Sequence, residues 1–425
     1  MELTTAIRWL AGGLIAARWM ASMWLFLLNR RHVVAHANAI PTAFAGIIDE
    51  STYGRSVSYT LARNRFSQIA ETYTSLVLLA VLFSGVLPWG YELALRRTGT
   101  TSWAMALFLI SVGLGMGLSS LPFGWIARFR LEDRFGFNTS TQRTWWLDLV
   151  KGALLAIALG YPLLVAILRI VEWSGASWWL WVWATIMALQ LTITVLAPVL
   201  ILPLFNKLTP LPEGSLRNRL TALAAETHFE ARSIQVMDGS RRSRHSNAFF
   251  TGFGRLRKIV LFDTLIEQME ETELEAVLAH EIGHSKRRHV PKLLVGSAAG
   301  SLAGLWVMAR LGTEPAFVEA FGFSSPASTT GFTGPGVAPV LLLFGLLSGA
   351  LTFWLNPLVH WTSRRYEYEA DSFAREVMGD SQPMIGALRK LNEKNLSNLT
   401  PHPIYSKFHY SHPTLVEREA ALRAP

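Results

Sequence analysis

Seven apolar runs, each about long enough to cross a lipid bilayer, dominate this chain of 425 residues. A spanning helix needs about 20 mostly apolar residues, because hydrocarbon offers the backbone no hydrogen-bond partner except itself. The runs lie at 8–28, 72–91, within 99–127, at 152–168, within 176–204, at 293–309 and within 336–360. The fourth and sixth are short, so a buried soluble helix is the alternative for each. Only 16% of the residues are charged and 51% are hydrophobic, whereas soluble domains average about 25% charged. The expected fold is therefore mainly α, a polytopic membrane protein. Trp103, Trp125, Trp178, Trp179 and Trp181 lie in or beside the runs, where indole rings favour the membrane interface.

The first run is followed by AHANA (35–39), which has the form of a signal-peptide cleavage site. Arg30, Arg31 and His32 stand between the two. A signal peptide carries its positive charge before the apolar core, so this run reads as a retained span. A net charge of +9 would point to nucleic acid in a soluble chain. Here the cations flank apolar runs and read as determinants of orientation, with no nucleic-acid partner expected. Arg30, Arg31, Arg55, Arg63 and Arg65 follow the first run, and Arg128, Arg130, Arg134, Arg143 and Lys151 follow the third. The opposite face holds only Arg96, Arg97, Arg169 and Arg310. Positive-inside then places the N-terminus outside and the C-terminus in the cytoplasm, provided the number of spans is odd. The absence of cysteine excludes disulfides, thiolate metal sites and cysteine nucleophiles.

Four parts follow: 1–206 with five spans, a soluble insert 207–292, two spans in 293–360, and a soluble tail 361–425. Within the insert, SLRNRLTALAAE (215–226) puts Leu216, Leu220 and Leu223 on one helical face. SIQVM (233–237), NAFF (247–250) and KIVLF (258–262) read as strands, punctuated by Asp238-Gly239 and Gly252–Gly254. Thr272 to Glu275 has capping-box form and predicts a helix start, with residues 280–284 in its second and third turns.

That helix carries AVLAHEIGHSKRRHV (276–290). His280 and His284, four residues apart, share a face, and neutral imidazole is a good zinc ligand. Glu281 stands beside them, where it can take a proton from a metal-activated water. Gly283 allows close packing or substrate approach. The bland alternative is a polar face with solvated histidines. His289 lies off the metal-facing stripe and reads as a surface residue or a support behind a ligand. A catalytic zinc takes three protein ligands, and the third must come from elsewhere. In SRRYEYEADSFAREV (363–377), Glu367 and Asp371 can face one way, with Glu369 roughly opposite. Glu367 as ligand, with Asp371 holding a ligand histidine, is one reading. The other is an ordinary charged helix in which Arg364 and Arg365 pair with Glu369 and Asp371. Spacing leaves both open. DGSRRSRHSNAFFTGFG (238–254) and YSKFHYSHPTLVERE (405–419) are rich in His, Asn and Ser. They read either as turns and caps or as an edge that holds an extended peptide.

EDRFGFNTST (132–141), PLFNKLTPLPEGSL (203–216), DGSRRSRHSNAFFTGFGRLRKIVLFDTLI (238–266), AVLAHEIGHSKRRH (276–289), SRRYEYEADSFA (363–374) and HYSHPTLVERE (409–419) occur in that order. Together they resemble the integral-membrane zinc metalloproteases typified by type I CAAX prenyl endopeptidase. The first 130 residues match in hydropathy only. The resemblance implies seven transmembrane helices around a large water-filled chamber, capped by a cytosolic α+β zinc metalloprotease domain. It implies His280, His284 and Glu367 as ligands of one zinc ion, Glu281 as general base and Asp371 as the acid behind the ligands. It implies Asn247 and His412 as contacts to the substrate backbone, with His412 helping to stabilise the tetrahedral intermediate. The expected substrate is a peptide or protein, prenylated in C-A-A-X processing or unprenylated in membrane quality control. The expected enzyme is a monomer in the lipid bilayer. Its Ala, Arg and Trp richness points to a bacterial inner membrane ahead of the endoplasmic reticulum. A catalytically silent peptide-binding relative is the main alternative. A transporter with a fortuitous metal site is a weaker one, since apart from Arg8 at the first residue of its run only Arg18 and His360 fall inside the runs.

Overall fold

The computed structural model describes residues 2–41, 44–230, 233–251, 258–324 and 336–424. Among them, six helical stretches are long and apolar enough to cross a bilayer: Glu2–Ala35, Glu50–Phe83, Ser102–Glu132, Gln142–Phe205, His289–Gly312 and Val337–Met378. The chain is thus a polytopic α-helical membrane protein. The fourth and fifth apolar runs both fall in Gln142–Phe205, a stretch of 64 residues. A tight turn at Gly175–Ser177 divides it into two helices.

In chain order the first six helices are α1 (Glu2–Ala35), α2 (Glu50–Phe83), α3 (Val86–Thr98), α4 (Ser102–Ile126), α5 (Gln142–Ser174) and α6 (Trp178–Leu196). Asp49, Thr101 and Thr141 cap α2, α4 and α5 by accepting from backbone N–H groups in the first turns. The expected span at 72–91 is corrected. Gly85 adopts φ +83°, a left-handed conformation open to glycine, so α2 ends at Phe83 and residues 86–91 belong to α3. The helices also outrun the apolar runs. Arg55, Arg63 and Arg65 lie within α2, and Arg128 and Arg130 lie in a π-helical continuation of α4, Ala127–Glu132.

After α7 (Leu202–Phe205) the soluble part begins with β1 (Leu208–Pro210), α8 (Ser215–Glu226), β2 (Ser233–Met237), β3 (Ala248–Thr251), β4 (Lys258–Phe262) and α9 (Asp263–Gln268). The sheet order is β1-β2-β4-β3, with β2 and β4 parallel and both outer pairs antiparallel. β2, β4 and α8 match the expected segments; β1 has too short a run to be read in sequence. Asp238-Gly239 opens a one-turn 3₁₀ helix, and the expected turn at Gly252–Gly254 lies outside the described residues.

Helix α10 (Glu271–Lys286) follows. Its capping box is Glu270 with Glu273, not Thr272 with Glu275. Residues 280–284 therefore sit about half a turn deeper than expected, in the third and fourth turns. The helix is buried on several sides: Leu274, Leu278 and Ile282 pack with Leu220, Ile259 and Leu261 under the sheet. Ala276 packs with Met384, Ile385 and Leu415 on another side. The remaining helices are α11 (His289–Gly312), α12 (Pro315–Glu319), α13 (Val337–Thr352), α14 (Asn356–Met378), α15 (Gln382–Lys394), α16 (Pro403–His409) and α17 (Leu415–Arg423). The sixth run is not a buried soluble helix: α11 has 24 residues and only 11% of its apolar window is buried.

One half of the membrane bundle packs into an apolar core. Ile15, Leu82, Met105, Leu168, Val182, Met308 and Leu343 form one apolar cluster. They come from the start of α1, the end of α2, the start of α4 and the end of α5, with matching ends of the other helices. At the opposite end, the end of α1, the first half of α2 and the end of α4 line a polar cavity of about 1010 Å³.

Gly283 packs directly against α14. A methyl group there would lie 3.0 Å from the Ala370 Cα and 3.1 Å from its carbonyl oxygen. Both are backbone atoms, so relief requires the helices to separate. Gly283→Ala is expected to lower zinc content and activity together, checked by metal analysis of purified protein. A second expectation concerns acid. His409 stacks on Phe26, with ring centroids 5.8 Å apart. Its burial, with His360 nearby, pushes its pKa down to about 4. The unfolded chain holds more protons below about pH 6.5, so this stabilising contribution is present above that pH and is lost as pH falls toward about 4. Thermal inactivation in detergent should accelerate over that window, and less so in His409→Phe.

Candidate metal centre

Two helices that continue directly into membrane stretches bring the site together. α10 ends at Lys286, and after a short turn with Arg288 at φ +56° the chain enters α11. α14 continues the Val337–Met378 stretch that begins with α13. Their crossing sets His280 and His284 against Glu367. The two Nε2 atoms lie 3.1 Å apart. Glu367 Oε1 is 3.4 Å from Nε2 of His284, and Oε2 is 3.5 Å from Nε2 of His280. Tetrahedral ligand atoms about 2.0–2.1 Å from a zinc ion would be about 3.3 Å apart, so the spacing fits one ion. Glu367 is 4% exposed, and its Oε2 has no hydrogen-bond partner among the described residues. Arg418 Nη1 stands 3.4 Å from that oxygen without a hydrogen bond, so the oxygen keeps a lone pair free for a metal cation. Two imidazoles and one carboxylate, with a fourth position open, are the donor set of a catalytic zinc.

Each histidine is held from behind. His280 Nδ1 lies 2.8 Å from Asp371 Oδ1. Asp371 in turn accepts from Arg418 Nε at 2.8 Å and Nη2 at 2.5 Å. Burial works to lower the His280 pKa, but hydrogen bonds with Asp371 and Glu367 outweigh it and push it up to about 9. Because Asp371 accepts at Nδ1, Nε2 is the nitrogen left for a metal. His284 is held differently. Its Nδ1 is 2.9 Å from Nδ1 of His289, whose Nε2 is 3.0 Å from Glu369 Oε2. The Glu369 carboxylate accepts, so neutral His289 donates from Nε2, accepts at Nδ1 and again leaves Nε2 of His284 for a metal. His289 is 1% exposed and stacks on Tyr366; of the two expectations for it, the surface one is corrected. Glu369 does point away from the ligands, yet it reaches the site through His289. Arg365 pairs with Glu369 at 3.0 Å, whereas Arg364 donates to the Lys407 and Tyr410 carbonyls.

Glu281 projects from the same helix, and burial raises its pKa while His280 and His284 oppose the rise. His412, between α16 and α17, puts Nε2 3.4 Å from Glu367 Oε1 and lines the polar cavity. Asn247 immediately precedes β3, the strand at one edge of the sheet. Its exposed side chain accepts from the Ala248 N–H, and its carbonyl accepts from Phe262 N–H. Neither bond reaches a ligand. Sequence reasoning missed Arg418, buried at 8% exposure and 3.4 Å from Glu367 through Nη1. It also missed the pairing of His289 with Glu369. Arg418 stands inside the quoted HYSHPTLVERE segment, but nothing in its spacing points to a partner 47 residues away.

A histidine pair and a glutamate, set between a four-stranded α+β domain and a membrane bundle, define a membrane-embedded zinc metalloendopeptidase. Comparison with known proteins agrees. Residues 29–207 match the family described as CAAX prenyl protease N-terminal, five membrane helices, and residues 210–425 match peptidase family M48. The chain belongs to that M48 family. It is 35% identical to the CAAX prenyl protease 1 homolog of Arabidopsis thaliana over 95% of both chains. It is 32% identical to CAAX prenyl protease 1 of Saccharomyces cerevisiae, over 93% of this chain and 91% of that one. The crystal structure of S. mikatae Ste24p superposes with a TM-score of 0.91 at 31% identity, covering 98% of this chain and 99% of that one.

The two supports predict separable effects. Asp371→Asn and His289→Ala should each weaken zinc retention by about 10- to 100-fold, measured by competition with a chromogenic chelator. Unchanged retention in both would remove their assigned role.

Proposed function

We propose that this enzyme hydrolyses peptide bonds near the C-terminus of substrates of the C-A-A-X type, prenylated or not, in a chamber shared by seven membrane helices and the peptidase domain. The observation that carries this reading is a hydrolytic ligand set beside a polar cavity that membrane helices help to wall, with His412 lining the cavity 3.4 Å from Glu367. A bound zinc ion would activate water and polarise the scissile carbonyl. Glu281 takes the proton from the attacking water and returns it to the leaving amine. His412, facing the cavity beside Glu367, donates to the developing oxyanion. Asn247, at the exposed edge of β3, holds the backbone of an extended substrate. Asp371 keeps His280 oriented.

The proposed division of the chain is 1–206, 207–292, 293–360 and 361–425. The peptidase domain faces the cytoplasm, the N-terminus lies opposite, and the enzyme works as a monomer in a bacterial inner membrane. The polar lining of the cavity also favours a second substrate class, unprenylated membrane or translocating peptides. A silent peptide-binding relative would be expected to lack a carboxylate base beside the ligands, and Glu281 is there.

Glu281→Gln should keep its zinc and lose hydrolysis by at least about 100-fold. Mass spectrometry of a farnesylated C-A-A-X peptide, its unprenylated twin and a membrane-peptide library, each with wild type and variant, reads out both base and substrate class. Full activity of the variant would sink the assignment. Removal of the metal with a chelator should abolish cleavage of all three, and added zinc should restore it.

A further inference from the structure

Two arginines stand on the cavity wall, and Arg63 acts on the charge of Glu132 without forming an ion pair with it. Arg63 lies in α2, and Arg128 lies in the π-helical continuation of α4. Both therefore belong to stretches long and apolar enough to cross a bilayer. A charge at such a position is costly unless it faces water or a counter-charge, and it commonly marks a substrate path. Neither forms a salt bridge among the described residues. Arg128 donates one bond from Nη1 to the Arg242 carbonyl at 3.1 Å, its one side-chain hydrogen bond among the described residues. Arg63 lies over the Tyr59 ring, 5.4 Å from the centroid.

The remaining charges on the wall are committed elsewhere. Arg418 is occupied by Asp371 and Glu367. Glu132, the one carboxylate among the described lining residues, accepts from Tyr59 at 2.8 Å and pairs with His245 at 3.2 Å. The wall thus carries two cations prepared for an anion, in the same cavity that His412 lines beside the metal ligands.

We propose that Arg63 and Arg128 bind the free C-terminal carboxylate of the substrate, so that cleavage occurs a short, limited distance from a chain end. This rests on the reading of the cavity as the peptide site. The chemistry fits, because a guanidinium fork matches a carboxylate in two parallel hydrogen bonds. Both arginines line the same cavity as His412, which stands 3.4 Å from Glu367. Neither lysine nor a neutral side chain would give the same planar match. Helix α2 and the end of α4 thereby become part of the specificity machinery, not only of the chamber wall.

The test uses full-length enzyme in detergent with one peptide in two forms, ending in a free acid or in a primary amide. Wild type should prefer the acid by about 10- to 100-fold in kcat/KM, the range expected for hydrogen bonds to a charged group. The difference should lie mainly in KM. In Arg63→Gln and Arg128→Gln the acid-to-amide preference should fall toward one, while Arg63→Lys keeps part of it. Zinc content reports whether each variant is folded; if a glutamine variant fails to fold, the wild-type comparison alone decides. A third peptide, amidated and carrying Glu at its last position, separates a terminal carboxylate from any nearby one. It should be cut no better than the plain amide. Equal cleavage of acid and amide by wild type overturns the proposal and leaves the peptidase reading standing. A preference that survives in both glutamine variants overturns the assignment to these two residues. No Glu281-dependent cleavage of any form overturns both readings.

Discussion

The metal centre depends on how closely α10 and α14 approach at Gly283 and Ala370. No side chain separates the two backbones there, and a single methyl group would meet main-chain atoms at 3.0 Å. That approach brings Glu367 to within 3.5 Å of both ligand histidines and Asp371 to within 2.8 Å of His280. α10 is anchored under the sheet by Leu274, Leu278 and Ile282. α14 is anchored by the membrane stretch it continues. The crossing therefore couples the soluble fold to the bundle, and the metal ligands sit at the coupling point.

Around this crossing, polarity is graded along the bundle. One end is packed with aliphatic and aromatic side chains. The other holds Asn29, Asn64, Arg63, Arg128 and Glu132 around a cavity. Groups of this kind are tolerated in membrane stretches when they face water or protein. Outward-facing Leu10, Leu154 and Val295 are left exposed by the protein itself, as expected of surfaces covered by lipid. Helices α1 and α5 thus expose apolar side chains on one face and contribute Asn29 and Trp145 to the polar cavity on another.

Much of the secondary structure was legible because it is local. Apolar runs longer than a bilayer, the leucine face of α8 and the short β-rich runs of β2 and β4 all appear in sequence with their periods intact. The errors have local physical causes too. Gly85 ends α2 early by taking a left-handed turn. Glu270, an unusual N-cap, starts α10 before the Thr272 that sequence rules prefer. Arg63 and Arg128 looked like loop residues because hydropathy cannot see a polar helix that continues beyond its apolar segment.

The sequence alone determined the chemistry available to the ligand helix. His280, Glu281 and His284 follow one another on a single helix, so their relation depends only on helical geometry. The pairing of that motif with Glu367 stood as an even choice on spacing and was decided by resemblance. Tertiary structure decided what supports it. Arg418 behind Asp371, and Glu369 acting through His289, join residues 47 and 80 positions apart. Such contacts follow from how two buried helices cross and where a C-terminal helix docks, and neither is encoded in any local period of the chain.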